Sequence, residues 1–165
     1  MSKAQHNPEI VIRLAAPGDA SSIASVLYEA FAEYEPLYTP EAFAATTPTS
    51  EQIEVRISEG PVWVAVQDGP VVGTVGATPK GNGLYVRGMA VLPTARGHSI
   101  GELLLVALET FASAQGYSRL FLSTTPFLDR AIRLYEAWGF RRDNEGPHDL
   151  FGTPLFTMTK DLGRR

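Results

Sequence analysis

The sequence predicts an α+β domain: a mixed, mostly antiparallel central sheet flanked by about four helices. Three observations carry this. The apolar, β-branched runs 62–67, 71–78 and 84–91 are separated only by Asp68-Gly69-Pro70 and Lys80-Gly81-Asn82-Gly83, short turns that suit antiparallel pairing. Two later segments have helical periodicity and lie between strand-like runs, as crossover connections do. The 165 residues, with no internal repeat or linker, are the size of one domain, placed here at 10–162 behind a polar tail, 1–9.

The elements follow in order. Ile10 to Leu14 reads as a strand, and Pro17-Gly18-Asp19 opens a helix with Ile23, Val26, Leu27 and Ala30 on one face. Pro36 and Pro40 break the chain near Tyr34 and Tyr38. Thr49 with Gln52 forms a capping box for a second helix carrying Ile53 and Ile57, which Pro61 ends. The three strands come next. A long helix shows Ile100, Leu103, Leu104, Ala107, Leu108 and Phe111 on one face, with Gly116 placed to cap its end. Arg119 to Ser123 is a strand. Thr125-Pro126 starts another helix, threonine as N-cap and proline at N1, with Ala131, Leu134, Tyr135 and Trp138 on one face and Gly139 at its end. Phe151 and Leu155 to Thr159 close the sheet.

The run from Met89 to Gly101 holds the clearest chemistry. A strand meets a proline-marked turn carrying Arg96 and Gly97, and a long helix follows at once. The first N–H groups of a helix lack partners within it and sit at the positive end of its dipole, so they form an anion site. Neither G-x-x-x-x-G-K-S/T nor G-x-G-x-x-G occurs, which argues against a nucleoside triphosphatase and a dinucleotide-binding fold.

Composition narrows the classes further. The chain is 44% hydrophobic, and no apolar run approaches the ~20 residues of a membrane span. The N-terminus has no signal-peptide core, so a cytoplasmic location is expected. A net charge of −4 without a basic cluster argues against nucleic acid. Residues 1–82 carry four basic and ten acidic side chains, and 83–165 carry ten and eight, so the first half would suit a cationic amine and the second a phosphate. There are no cysteines and no histidine pair with metal-ligand spacing, so neither a cysteine acyl-enzyme nor a metal is expected.

Residues Val86 to Pro93, followed by Arg96-Gly97-x-x-Ile100-Gly101, resemble the GNAT superfamily of acyl-CoA-dependent N-acyltransferases, whose loop reads Q/R-x-x-G-x-G/A after a strand like M-A-V-x-P. Ala131 to Phe140 resembles the family's A-x-x-L/F-Y-x-x-x-G-F element, Gly152 to Lys160 its final strand, and Ile10 to Asp19 its first strand and turn. The resemblance covers nearly the whole chain. It implies a sheet splayed at the acyl-CoA site, and transfer of an acetyl group from acetyl-CoA to a primary amine on a small molecule or peptide. Attack would be direct, without an acyl-enzyme or metal. A non-catalytic acyl-CoA-binding sensor is the alternative, and a homodimer is left open.

Carried over residue by residue, Met89, Ala90 and Val91 offer an open strand edge to pantetheine, whose two amides suit it, while Arg96, Gly97, His98, Ser99, Ile100 and Gly101 hold the pyrophosphate. Tyr135 matches the tyrosine that protonates the departing thiolate. The acceptor pocket is expected from Phe31, Tyr34, Tyr38 and Tyr85, with the stretch 143–149 near it. Two departures stand out. Ser99 replaces the middle glycine: where that backbone is left-handed serine costs roughly 1 kcal/mol, and where it is not the hydroxyl is free to bind phosphate. Leu128 stands where many relatives have asparagine. The strand carries no carboxylate over 85–88, which leaves the general base unassigned, with Glu29, Glu33 and Glu35 as candidates acting through water.

Overall fold

The computed structural model describes residues 9–163; His6 and all but Glu9 of the expected tail lie outside the described residues. Among the described residues nine strands form: β1 (Ile10–Leu14), β2 (Val62–Gln67), β3 (Val71–Lys80), β4 (Gly83–Val91), β5 (Arg119–Thr124), β6 (Arg141–Asp143), β7 (Asp149–Leu150), β8 (Thr153–Pro154) and β9 (Phe156–Asp161). Five α-helices accompany them: α1 (Ala20–Phe31), α2 (Pro40–Thr46), α3 (Ser50–Glu59), α4 (Ile100–Ala114) and α5 (Asp129–Ala137). Seven strands form one sheet in the order β1-β2-β3-β4-β5-β9-β6, antiparallel except for the β4–β5 pair. The α+β class and mixed sheet therefore stand.

Strand β2 is buried on both faces, and its alternation divides two layers. Val62 and Val64 pack against Ile23, Val26 and Leu27 of α1 and Ile53 of α3, while Trp63 and Ala65 share a cluster with Leu104, Leu105 and Leu108 of α4. Helix α4 ends in a Schellman motif: the Gly116 N–H donates to Ser113 O (3.1 Å) and the Tyr117 N–H to Ala112 O (3.0 Å). Helix α3 begins with the expected box, Thr49 N–H donating to Gln52 Oε1 (2.9 Å) and Gln52 N–H to Thr49 Oγ1 (3.2 Å).

Three expectations need correction. The segment after α1 is not merely broken: a 3-10 turn over 32–37 leads into α2, with Thr39 as N-cap and Pro40 at N1. Helix α5 starts at Asp129, not after Thr125; the Leu128 N–H donates to Thr125 O (3.2 Å), so Thr125-Pro126 forms a turn before the helix. Phe151 is no sheet residue. It sits 62% exposed, at φ +48°, between β7 and β8, a two-stranded hairpin outside the main sheet.

Candidate active site

The sheet opens at its parallel pair. Strands β4 and β5 are matched only at Gly83/Arg119, Leu84/Leu120 and Tyr85/Phe121, although β4 runs on to Val91. The cause is a bulge in β4. Against β3, Ala90 opposes Thr74 and Arg87 opposes Gly76, so β4 holds one extra residue there, with Gly88 at φ +66°. A bulge bends its strand, and the backbone of Met89 to Val91 is left without β5 beside it.

Two cavities occupy the opening. The first, of about 430 Å³, is lined by Met89, Ala90 and Val91, by Arg96, Gly97, Ser99, Ile100 and Gly101, and by Phe31 and Tyr34. The second, of about 290 Å³, is lined by Tyr38, Tyr85 and Tyr135, by Arg56 and Arg87, and again by Phe31. Phe31, Met89, Leu128 and Ala131 line both and mark their junction. Helix α5 and its N-cap serve both cavities: Arg130, Arg133, Leu134 and Ala137 line only the first, Tyr135 only the second, and Leu128 and Ala131 both.

The first cavity suits a pyrophosphate. Ser99 is the N-cap of α4, yet its side chain makes no capping bond, so the first N–H groups of a 15-residue helix have no side-chain acceptor. Gly97 is at φ +91°, and a Cβ there would meet no atom within 4 Å, so the loop is open to solvent. Arg96 lies at the rim, its Nη1 3.3 Å from Glu33 Oε1. Arg130 and Arg133, which sequence reading missed, add positive charge, and Glu102 is the one carboxylate in the lining. Their i, i+3 spacing in α5 was visible; their direction toward the loop was not. His98 is exposed and does not line the cavity.

Ser99 has φ +60°, so the first of its two alternatives holds: the backbone is left-handed and serine is strained there. Ser99→Gly is expected to keep CoA affinity within about tenfold and leave stability equal or up to ~1 kcal/mol higher. Isothermal titration and denaturant melts check both; complete loss of binding would assign the interaction to the hydroxyl.

The second cavity holds the aromatic residues. Tyr135 is 6% exposed, 5.6 Å from Phe140 between ring centres, and its hydroxyl has no hydrogen-bond partner among the described residues. Burial first, and the nearby Tyr38 second, push its phenol above the ordinary tyrosine value, so it stays protonated. Tyr38 is buried against Phe43 and Phe127, at 6.0 and 5.0 Å. Burial raises its pKa too, partly opposed by the hydroxyls of Thr125 and Thr46, though the Thr125 Oγ1 contact falls outside hydrogen-bond geometry.

No Asp or Glu lines this cavity. Glu29 accepts a bond from Ser25 Oγ (3.3 Å), Glu33 pairs with Arg96, and Glu35 is exposed, so none of the three reaches it as a direct base. None of the ten acidic side chains of residues 1–82 lines either cavity. From the last loop, Leu150 and Leu155 line the cavity rather than the stretch 143–149. No cluster of three metal-binding side chains occurs among the described residues, and no helix there is long and apolar enough to cross a membrane.

The acetyltransferase (GNAT) family profile matches residues 24–140. An uncharacterized N-acetyltransferase of Escherichia coli, YjgM, is 33% identical over 74% of this chain and 76% of its own length. A mouse protein, probable N-acetyltransferase family 8 member 5, is 37% identical over 52% of this chain, which spans only 40% of that relative. The PaiA N-acetyltransferase of Thermoplasma acidophilum, solved in complex with coenzyme A, superposes with a TM-score of 0.80 over 93% of this chain and 99% of its own, at 18% identity, which shows the same fold.

Proposed function

This chain belongs to the acetyltransferase (GNAT) family, and from that premise we propose that it moves an acetyl group from acetyl-CoA directly to a primary amine, through one domain spanning 10–162. The observation that carries the reading is the junction of the two cavities, where an open strand edge and an uncapped helix on one side meet a neutral, buried phenol on the other. When bound, acetyl-CoA supplies an activated acetyl thioester. The residues fit it: Arg96, Arg130, Arg133 and the free N–H groups of α4 offer charge and donors to a pyrophosphate, and Met89 to Val91 offer peptide groups to pantetheine. The coenzyme A in the Thermoplasma relative supports that choice.

Tyr135 holds its proton and gives it to the sulfur as the C–S bond breaks. The incoming amine enters through the second cavity and sheds one proton to solvent; its nitrogen then bonds the acetyl carbon as the C–S bond breaks, and the second proton it loses on becoming the amide returns through solvent to the Tyr135 phenolate. Without cysteine, no thiol is available to carry the acetyl group.

One observation favours a second reading. Because no carboxylate lines the second cavity, an acyl-CoA sensor without turnover fits as well. A screen of primary amines with acetyl-CoA, reading free CoA thiol, separates the two; the protein contributes no thiol background. Thermal stabilisation by acetyl-CoA with no amine-dependent thiol release would establish the sensor.

A further inference from the structure

The second cavity presents two guanidinium groups and no acid. Arg87 is already engaged, its Nη2 2.7 Å from Glu59 Oε1. Arg56 is not: it is half-buried, and its guanidinium has no hydrogen bond or ion pair among the described residues. A cation removed from water without a partner is costly, and such groups are normally paired. Burial and the like charge of Arg87 weaken its hold on its proton, with Tyr85 and Glu59 opposing. Its Nη1 lies 3.2 Å from where a Cβ on Gly88 would stand, so glycine both shapes the bulge and leaves room for this group. Arg56, Gly88 and Met89 line the same cavity, and Met89 lines the first as well, so the guanidinium belongs to the cavity that meets the junction. Thr125 adds a buried hydroxyl without a hydrogen-bond partner to the same lining.

We propose that Arg56 binds a carboxylate on the acceptor, so that the substrates are small amines that carry a carboxylate, such as free amino acids. This rests on the acetyl-transfer reading. One uncompensated cation matches one negative charge, whereas a phosphate brings about −1.5 to −2. A cavity of about 290 Å³ is at the small end for organic ligands, which suits an amino acid better than a long chain. A polyamine would set its ammonium groups against Arg56 and Arg87 without a carboxylate to receive them.

The test compares glycine, alanine, β-alanine, aspartate, methionine and phenylalanine with their carboxamides, and with phosphoethanolamine and spermidine. It uses thiol release for kcat/KM, and calorimetry on the CoA-bound protein for affinity. At least one carboxylate acceptor is expected to exceed its carboxamide by about tenfold or more in both, with the difference mainly in KM. Arg56→Gln should erase that preference, and Arg56→Lys should restore part of it. Unchanged CoA affinity in both variants shows that the fold is intact. Carboxamides or spermidine that perform equally well, phosphoethanolamine that performs best, or an Arg56→Gln loss equal on acid and amide would each overturn the proposal. Carboxylate-selective binding without turnover would uphold the recognition and refute acetyl transfer. Turnover without selectivity would do the reverse. A panel that neither turns over nor binds selectively overturns the proposal.

Discussion

Tyr135→Phe is expected to lower kcat by roughly 10²-fold or more while acetyl-CoA affinity hardly changes. The substitution keeps the buried ring against Phe140 and removes only the hydroxyl, which no protein group holds among the described residues. Folding should therefore be little affected, and the loss falls on the chemical step. Because burial raises this phenol, it remains a proton donor across the neutral range, so an alkaline limb near neutrality in the wild-type rate must come from another group. The same sign governs stability. The contribution of the neutral phenol is complete below the ordinary tyrosine value, about 10, and is lost progressively as pH rises from there through the higher folded value. A donor with a more acidic leaving thiol should narrow the gap between variant and wild type, since its thiolate needs less protonation. Single-turnover rates check both points; equal rates would return Tyr135 to a packing role.

Arg96→Ala is expected to weaken CoA binding by roughly 1.5–3 kcal/mol, or about ten- to a hundredfold, the scale of a charge-assisted hydrogen bond. The pair Arg96 makes with Glu33 does not compete strongly. Glu33 is half-exposed, and such pairs contribute only ~0–1 kcal/mol, so a pyrophosphate displaces the carboxylate readily. A pantetheine fragment, which lacks the phosphates, should bind variant and wild type alike. Calorimetry with both ligands decides the matter: a fragment that binds wild type as tightly as CoA does would remove the loop from the site.

The two results bear on what the chain reveals before it folds. Strands β2, β3 and β4 were legible because each is a continuous apolar run bounded by Gly/Pro turns, and α1 and α4 because their periodicity is long. Helix α2 was missed although Thr39 and Pro40 announce it; two prolines four residues apart read as breakers, and seven residues give little periodicity. Thr125-Pro126 had the right chemistry for a helix start but served a turn, leaving Leu128 at the cap without a capping side chain. Strands β6, β7 and β8, of two or three residues, carry no period at all. The loop proposed for the cofactor could be picked out because its residues are contiguous. Arg130, Arg133 and Arg56 could not, since their meaning depends on which segments fold beside them. The absent strand carboxylate was visible, but its counterpart, an unpaired arginine in the same cavity, was not.

The shared wall of Phe31, Met89, Leu128 and Ala131 has a consequence for donor choice. On the acetyl-transfer reading, an acyl group that crosses this wall enters the space proposed for the acceptor. Acetyl takes little of it; each added methylene leaves less for the amine. On the acetyl-transfer reading, donor length and acceptor bulk are therefore drawn from one fixed volume, and selectivity for one sets selectivity for the other. Rates measured with acetyl-, propionyl- and butyryl-CoA should fall more steeply for phenylalanine than for glycine, or for whichever larger and smaller amines prove active; parallel declines would mean that the acyl chain lodges elsewhere.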